Sequence, residues 1–420
     1  MTTDSLPNSI PIAVQRAYRA FLQLGTIEAE ERSRGVKAMA VALEKGISDI
    51  LEANTLDLVM SREMAVPELI LKWLKLTPER MQNAIAILHG LAERSDPMER
   101  MMNASHQLNS SQTYSQLRPL GAIAFVYEAF PELAAIAAGM CLKTSNSIIL
   151  RGGSEASQTN TLIGQILQIA LEEADLPKGC VETIGGDRSS SIQDLVSLNQ
   201  YLSLVIPYGR PSLISQVSQL STAPTIESAM GNCYLYWAAS GDLELVRRII
   251  IDSHASQPDP VNAIEKVLIN SNQKSSSLIR LFSNLSEKGF QLRGDKALVA
   301  EFPERLTPVT EAEWSKSYLD KIIAFKKVET IESAIAWIGQ YSSGHADCLI
   351  TESYQESRKF ATGLDSALIY INASPKFSRY PRKGESVFLG ISNQKGYGRG
   401  LISLETFTTT KQIVQGEGII

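Results

Sequence analysis

Two glycine-bearing turns in this sequence have residue types that bind phosphate groups, and the first is LRGGSEA at residues 150–156. It leaves an apolar run typical of a strand and enters a run typical of a helix. Gly152 and Gly153 would let backbone amides approach a phosphate, and a helix start favours anions. Arg151 could bind a phosphate or a ribose. The motif is not G-x-G-x-x-G, and a plain strand-to-helix turn explains the spacing equally well.

A second turn, IPYGRPS at residues 206–212, also follows an apolar run. It contains one glycine, Gly209, between Pro207 and Pro211. One glycine and two prolines make a weak phosphate cradle, so this stretch alone favours a structural turn.

Candidates for a nucleophile or an acid–base group are few. The four histidines are scattered, so no Ser-His-Asp arrangement is predicted. His254 lies at the predicted end of a helix, where a cation that interacts with the helix dipole is a more usual role than an acid or base. Cys233 precedes a strand in MGNCYLYW, and such a cysteine is more often a small buried apolar residue than a nucleophile.

The elements that would position these residues fall into two α/β stretches. Apolar residues spaced by three or four between 36 and 51 predict one helical face, and residues 104–117 predict an exposed ribbon or hairpin. From residue 120 short apolar strands alternate with helices, and a second such stretch begins near residue 230. This alternation predicts parallel sheets covered by helices. The tail after residue 405 alternates threonine with apolar residues, as edge or intersubunit strands do.

The composition excludes several classes of protein. The 420 residues are 44% hydrophobic and 20% charged, with a net charge of −5, so nucleic acid is not an expected partner. No signal peptide is predicted, and no apolar run is long enough to span a membrane. The four cysteines form no C-x-x-C pair, so we expect neither a disulfide framework nor a metal site. A reducing, cytoplasmic location fits this cysteine usage.

Several segments together resemble one family. In order along the chain they are RPLGAIAFVYEA, MCLKTSNSIILRGGSEA, SLVIPYG, APTIESAMGNCYLY, PDPVNAIEKVLIN, SGHADCLITE and NASPKF. The order is similar to that in the gamma-glutamyl phosphate reductases, or glutamate-5-semialdehyde dehydrogenases, of the aldehyde dehydrogenase superfamily. The resemblance covers residues 32–412.

The resemblance implies an α/β, aldehyde dehydrogenase-like fold with two parallel-sheet α/β domains and a small oligomerisation flap. Such a flap implies a homo-oligomer, either a dimer or a tetramer. The implied bounds are 1–103 for the helical part of the dinucleotide-binding domain, 118–229 for its α/β part, 230–372 for a catalytic-type domain, 373–397 for a segment that returns to the first domain, and 104–117 with 398–420 for the flap strands.

The family also implies a reaction. NADPH reduces glutamyl 5-phosphate to the semialdehyde in proline biosynthesis, through attack by a cysteine thiolate, loss of phosphate and hydride transfer to the thioester. The expected ligands are therefore a small-molecule substrate and NADP. The residues expected along the cofactor groove are Arg151, Gly152, Gly153, Ser154, Pro207 and Gly209.

The sequence departs from the family at the nucleophile. The family pattern is similar to RPSxCNAxETLLV, and this chain has QPDPVNAIEKVLI over residues 257–269. Asn262 keeps its place, but Val261 stands where the family has its cysteine. A valine side chain cannot form a thioester, so the alignment predicts that the catalytic thiol is absent. Cys233 is the remaining candidate for a relocated nucleophile.

Two further departures affect anion binding. The family turn PRGG appears as Pro207-Tyr208-Gly209-Arg210, which puts a bulky residue where a glycine would admit the cofactor. The family segment YEARPNVT appears as YEAFPELA, so Phe130 replaces an arginine and Glu132 an asparagine. We expect the second change to make a positive, amide-lined opening apolar and acidic, and to weaken capture of a phosphorylated dicarboxylic substrate.

Three functions remain open from the sequence. A working reductase of proline synthesis has the support of the resemblance over nearly the whole chain. A catalytically inactive paralogue, acting as a scaffold or a regulatory oligomer partner, explains why the thiol, the PRGG turn and the YEARP segment all changed. An oxidoreductase that uses another substrate without a thioester is the third, although the sequence offers no new acid–base pair for it. The missing thiol leads us to predict no thiol-dependent turnover.

Overall fold

The structure is a computed structural model, which describes residues 9–103, 111–185, 190–255, 261–381 and 386–416. Contacts within the chain divide it into two compact units. The first unit contains Met1–Ser228, Arg379–Leu389 and Leu401–Ile420, and the second contains Ala229–Ser378 and Gly390–Gly400. The chain therefore leaves the first unit twice and returns to it twice.

The first unit begins with helices. They are α1 (Ile10–Leu24), α2 (Ala29–Lys45), α3 (Ile47–Glu63), α4 (Glu68–Leu74) and α5 (Pro78–Glu93). The single apolar face predicted across residues 36–51 is wrong, because it is divided between α2 and α3. Gly46 separates the two helices, and its N–H donates to the carbonyl of Ala42 as a residue at a helix C-terminus does.

The parallel sheet of the first unit carries both predicted turns. After β1 (Met101–Asn103) and β2 (Ser111–Pro119), which belong to another sheet, the chain alternates through β3 (Ala122–Tyr127), α6 (Glu132–Lys143), β4 (Ser147–Gly152), α7 (Ser157–Glu173), β5 (Val181–Ile184), α8 (Ser190–Val196), β6 (Leu202–Gly209), α9 (Pro211–Leu220) and β7 (Ser228–Ala229). The strand order is β5-β4-β3-β6-β7, and β3 is parallel to both β4 and β6. The turns after β4 and β6 therefore flank the carboxyl end of β3, at the edge where open α/β sheets bind ligands.

The second unit is built on a larger parallel sheet. Its elements are β8 (Cys233–Trp237), α10 (Leu243–Ser253), β9 (Ile264–Asn270), α11 (Ser275–Glu287), β10 (Gln291–Gly294), α12 (Lys296–Glu301), β11 (Thr307–Pro308), β12 (Ile322–Val328), α13 (Ile331–Tyr341), β13 (Ala346–Ile350), α14 (Tyr354–Gly363) and β14 (Leu368–Ile371). The strand order is β11-β10-β12-β9-β8-β13-β14, and neighbouring strands are parallel. The short strands β15 (Ile391–Ser392) and β16 (Gly400–Leu401) pair separately.

A third sheet joins the middle of the chain to its end. The strand β17 (Thr408–Gly416) pairs antiparallel with β2, from Thr408 opposite Pro119 to Gly416 opposite Ser111, and β2 also pairs with β1. Most side chains of β17 are exposed. Strands are thus present within both predicted flap segments, although residues 104–110 lie outside the described residues. A role of this sheet in oligomerisation stays a prediction.

The prediction of two α/β units with parallel sheets is confirmed. The segment 373–397, predicted to return to the first domain, is instead divided, because Arg379–Leu389 groups with the first unit and Gly390–Gly400 with the second. Among the described residues, no helix combines the length and apolar character needed to cross a lipid bilayer.

Candidate functional site

The glycines of the first turn make room for the protein's own side chains. Gly152 is the last residue of β4, and Gly153 precedes a short 3-10 helix, Ser154–Ala156, that leads into α7. A Cβ atom on Gly152 would lie 2.0 Å from Nδ2 of Asn160, and one on Gly153 would lie 2.1 Å from Oε1 of Glu155. The side chains of Asn160 and Glu155 therefore occupy the space that the two glycines leave open.

The start of α7, which the sequence predicts to favour a phosphate, is already bonded to a carboxylate. Asp57, buried on α3, accepts the backbone N–H of Gln158 at 3.0 Å and that of Thr159 at 2.8 Å. It also accepts the Thr159 hydroxyl at 2.6 Å. These are the donors that a helix N-terminus would offer to an anion. A phosphate at this point would meet both occupied donors and a like charge.

Glu155 places a second carboxylate in the same turn. Its Oε1 accepts the backbone N–H of Ala129, which follows β3, at 2.7 Å. Burial raises the pKa of Glu155, and the nearby Glu128 carboxylate raises it further. A carboxylate at the carboxyl edge of a parallel sheet can accept hydrogen bonds from ribose hydroxyls. Of the predicted groove residues in this turn, Ser154 is exposed and Arg151 is buried at the end of β4.

The second turn also holds a carboxylate of the protein. Gly209 ends β6 with φ +149°, and a Cβ atom there would lie 2.9 Å from Cβ of Glu128. Arg210, the residue before α9, donates its backbone N–H to Oε2 of Glu128 at 3.1 Å and its Nε to Oε1 at 3.0 Å. The ion pair raises the pKa of Arg210. The turn that the sequence predicts as a weak phosphate cradle thus contains a bound Glu128, while 39% of the Arg210 side chain stays exposed.

The segment between β3 and α6 is apolar as predicted, but Glu132, the first residue of α6, is paired with an arginine. The Phe130 ring stacks on Trp73 with centroids 5.0 Å apart and meets Tyr208 edge-on at 5.6 Å. Glu132 is buried and accepts Nε of Arg80 at 2.9 Å and Nη2 at 2.5 Å. The expectation of an acidic opening at Glu132 is therefore wrong, because a buried carboxylate with a bidentate arginine presents no net charge.

In the second unit, Val261 is part of a packed core. Its side chain is buried, and its carbonyl accepts the backbone N–H of Gly231 at 2.9 Å. The neighbouring Asn262 is also buried and donates Nδ2 to the carbonyl of Pro375 at 3.0 Å. Both residues therefore have structural contacts of their own, and the Val261 side chain offers no group for proton or acyl transfer.

Cys233 lies beside the same glycine. A Cβ atom on Gly231 would lie 2.8 Å from Sγ of Cys233 and 2.8 Å from the carbonyl oxygen of Val261. Burial raises the pKa of the Cys233 thiol well above its usual value, and the buried Asp347 carboxylate adds to this shift. A thiol in these surroundings stays protonated and is a poor nucleophile. The other three cysteines, Cys141, Cys180 and Cys348, are buried too.

His254 has a different role from the helix cation that the sequence favours. It follows α10, but its Nε2 donates to the carbonyl of Ile264 on β9 at 2.9 Å. Its ring meets Phe290 edge-on at 4.9 Å, and burial lowers its pKa. His254 is therefore a neutral imidazole that links α10 to β9 through this hydrogen bond.

Glu265, which keeps the family frame after Val261, binds backbone rather than substrate. Its buried carboxylate accepts the N–H of Tyr318 at 2.6 Å and that of Leu319 at 2.7 Å. Lys266 beside it places its ammonium 3.7 Å from the centre of the Tyr318 ring. Burial raises the pKa of Glu265 and lowers that of Lys266. The pair fixes the loop before β12.

Sequence reasoning missed the partners that fill the two turns. Asp57 lies in a helix about a hundred residues before α7, and no local pattern distinguishes it from a surface acid. Glu128 belongs to the YEA segment, which follows a predicted strand. Neighbouring parallel strands end at the same edge of a sheet, so a strand order with β3 next to β6 would have predicted that Glu128 lies near the second turn.

Comparison with known proteins identifies the class of protein to which the chain belongs. The aldehyde dehydrogenase family model matches residues 3–229, which include the parallel sheet of the first unit and both turns. This match and the α/β architecture together define an aldehyde dehydrogenase-type protein.

The particular family follows from full-length relatives. The chain is 55% identical to gamma-glutamyl phosphate reductase 2 of Synechocystis sp. and 38% identical to gamma-glutamyl phosphate reductase of Gloeobacter violaceus, each over 99% of both chains. The crystal structure of gamma-glutamyl phosphate reductase from Thermotoga maritima is 31% identical, with a TM-score of 0.90 over 98% of this chain and 100% of that one. The chain belongs to the gamma-glutamyl phosphate reductase family, as the sequence predicts.

Proposed function

We propose that this protein keeps the fold of a gamma-glutamyl phosphate reductase but has lost the thiol-dependent reduction of glutamyl 5-phosphate. One observation carries the proposal: the position aligned with the nucleophile holds the buried Val261, and all four cysteines of the chain are buried. A thioester route needs a thiolate that can reach the acyl phosphate. Loss of a covalent nucleophile typically lowers turnover by several orders of magnitude.

The cofactor in this proposal is a nicotinamide dinucleotide, and the family resemblance makes it NADP(H). When bound, it supplies or accepts a hydride. Glu155 would accept hydrogen bonds from ribose hydroxyls, and the exposed part of Arg210 would face a phosphate. The start of α7 does not fit a phosphate, because Asp57 already accepts its amides. These features support weak binding of the cofactor.

Loss of substrate capture belongs to the same proposal. In the family pattern an arginine precedes the proline of YEARP, and here Phe130 is buried between two aromatic rings at that position. A buried phenyl ring cannot form the charge-assisted hydrogen bonds that hold carboxylate or phosphate groups. The family turn PRGG also loses its arginine at Tyr208, although Arg210 supplies one two residues later.

A role as a scaffold or a regulatory oligomer partner follows if catalysis is lost. The strand β17 with its exposed side chains supports assembly with further copies, as a dimer or tetramer. The competing function is a working reductase of proline biosynthesis. The 55% identity to gamma-glutamyl phosphate reductase 2 of Synechocystis sp., over 99% of this chain, favours it. A cytoplasmic location remains a prediction from the cysteine usage.

Turnover measured in both directions tests the proposal. Purified protein is expected to oxidise no NADPH with glutamyl 5-phosphate and to reduce no NADP with the semialdehyde, while a fluorescence titration still detects NADPH binding. Robust turnover in either direction would establish the working reductase instead.

Restoring the thiol separates the two causes of inactivity. Val261→Cys is expected to recover only part of a family enzyme's rate, because Phe130 and Tyr208 still stand where the family has arginines that would capture the anions. The matched variant Val261→Ser has a similar size and no thiol, so it should remain inactive. Full recovery in Val261→Cys would show that the other departures are neutral.

A further inference from the structure

A cleft of about 460 Å³ lies in the first unit at the edge of the sheet opposite the two turns. Lys143, one of its lining residues, is the last residue of α6. Since α6 begins after the carboxyl end of β3 and ends before the amino end of β4, Lys143 lies at the amino-terminal edge of these strands. Gly152 and Gly209 end their strands at the opposite edge. The volume is within the range of small-ligand pockets.

Lys143 is a buried ammonium with neutral partners. Its Nζ donates to the hydroxyl of Ser33 at 2.7 Å and to the carbonyl of Arg94 at 2.6 Å. Within the described ranges of the chain, no carboxylate is in ion-pair contact with it. Asp96, which also lines the cleft, is ion-paired to Arg32 instead. Burial lowers the pKa of Lys143, as expected for a cation without a contacting counter-charge.

Lys143 and Ser33 can each donate one further hydrogen bond to an anion. An ammonium has three donors, and Lys143 uses two of them on the contacts above. Ser33 accepts from Lys143 and so keeps its own hydroxyl hydrogen for another acceptor. A bound oxyanion could therefore receive hydrogen bonds from both side chains.

The charges around the cleft are mixed, but they differ in exposure. Arg34 and Lys37 add exposed cations, and His89 and Arg94 add half-buried cationic or titratable groups. The acids Glu30, Glu93 and Glu99 are exposed, so solvent screens them more than it screens the buried ammonium. The buried charged groups that line the cleft are the Lys143 ammonium and the Asp96 carboxylate, and Asp96 is already neutralised by its ion pair with Arg32.

We propose that this cleft binds a small oxyanion, the carboxylate or phosphate group of a small molecule, with Lys143 as its counter-charge and Ser33 as a second donor. Buried charges in proteins are generally paired, and charge-assisted hydrogen bonds to oxyanions are among the stronger ones. The site requires neither the cofactor nor a thiol, so it stands independently of the function proposed above.

Calorimetric titration of the full chain tests the site. Inorganic phosphate and succinate are titrated separately at constant ionic strength, which distinguishes a phosphate from a carboxylate ligand. At least one probe is expected to bind, and Lys143→Met is expected to remove one binding equivalent. The control is Lys45→Met: this exposed lysine also lies in the last turn of a helix but does not line the cleft, so its loss should leave binding unchanged.

A second variant keeps the test valid if Lys143→Met does not fold. Ser33→Ala retains the ammonium and removes one donor, so the dissociation constant is expected to rise by about tenfold. If neither probe binds, if binding survives Lys143→Met, or if Ser33→Ala binds like the wild type, the proposal is wrong. If phosphate binds at the turns after β4 and β6 instead, binding will survive Lys143→Met, and the proposal is wrong in that case too.

Discussion

Arg210 binds Glu128 through its backbone N–H and its guanidinium together, at the start of α9. The contact places a carboxylate where the second turn would otherwise offer donors to a phosphate. The arrangement at the first turn is similar, since Asp57 accepts the amides that begin α7. The two helix starts at the carboxyl edge of the sheet are thus bonded within the protein.

The Arg210–Glu128 pair predicts a non-additive effect on NADPH binding. Arg210→Gly alone should weaken binding by about tenfold, because it leaves the Glu128 carboxylate unpaired beside the proposed position of the cofactor phosphates. The double variant Arg210→Gly with Glu128→Gln removes that charge and should bind more tightly than either single variant. Fluorescence titration with NADPH measures each affinity.

A surface pair provides the control for that experiment. Arg247 and Glu244 form an ion pair within α10 of the second unit, so Arg247→Gly should leave NADPH affinity unchanged. Additive effects of the Arg210 and Glu128 changes would mean that the pair does not limit the cofactor.

The contact of Asp57 with α7 predicts a loss of stability. Asp57→Asn weakens the hydrogen bonds to the two amides and the hydroxyl, so the free energy of unfolding should fall by about 1–2 kcal/mol. Urea denaturation followed by circular dichroism measures the change. Glu52→Gln, an exposed change on the same helix, should alter the free energy by less than about 0.5 kcal/mol. Equal effects of the two variants would contradict the capping role.

The buried Arg80–Glu132 pair predicts that losing one partner destabilises the protein far more than losing both partners. Arg80→Met leaves Glu132 buried without its partner and should cost about 3–5 kcal/mol. Adding Glu132→Leu removes the unpaired charge, so the double variant should recover most of the loss. Thermal and urea unfolding measure both. A mild effect of Arg80→Met would mean that Glu132 reaches solvent and that the opening is acidic after all.

Asp347 predicts a pH dependence of stability. Burial raises its pKa from 3.8 to about 6, against the opposing effect of hydrogen bonds from Ser366, Tyr234 and Ser342. Between these two values the folded protein holds a proton that the unfolded chain has lost, so stability should decrease as the pH rises through this range. Unfolding midpoints measured from pH 4 to pH 6 should show a smaller decrease in Asp347→Asn. The exposed Asp194→Asn is the control, and a slope like the wild type in Asp347→Asn would contradict the assignment.

The sequence predicted the order of strands and helices well, because that order follows from local hydrophobic periodicity. The alternation from β3 to α9 and the glycine turns at strand ends could both be recognised within short windows. The division at Gly46 was missed because the apolar spacing continues across it. The division of residues 373–397 between two units depends on long-range contacts that no local pattern carries.

The electrostatics of the site could not be predicted in the same way. Arg80 and Glu132 are separated by 52 residues, and Arg210 and Glu128 by 82. Each acid looks like a surface residue in the sequence, and only the fold brings its arginine to it. The substitution at Val261 was visible because it depends on residue type within a recognisable frame.

The central claim is that no thiol of this protein forms an acyl-enzyme, and intact-protein mass spectrometry tests it directly. After exposure to glutamyl 5-phosphate without NADPH, followed by an acid quench, the wild-type protein should keep its unmodified mass. Appearance of one glutamyl adduct that hydroxylamine removes, and that mapping places on any of the four cysteines, would contradict the account.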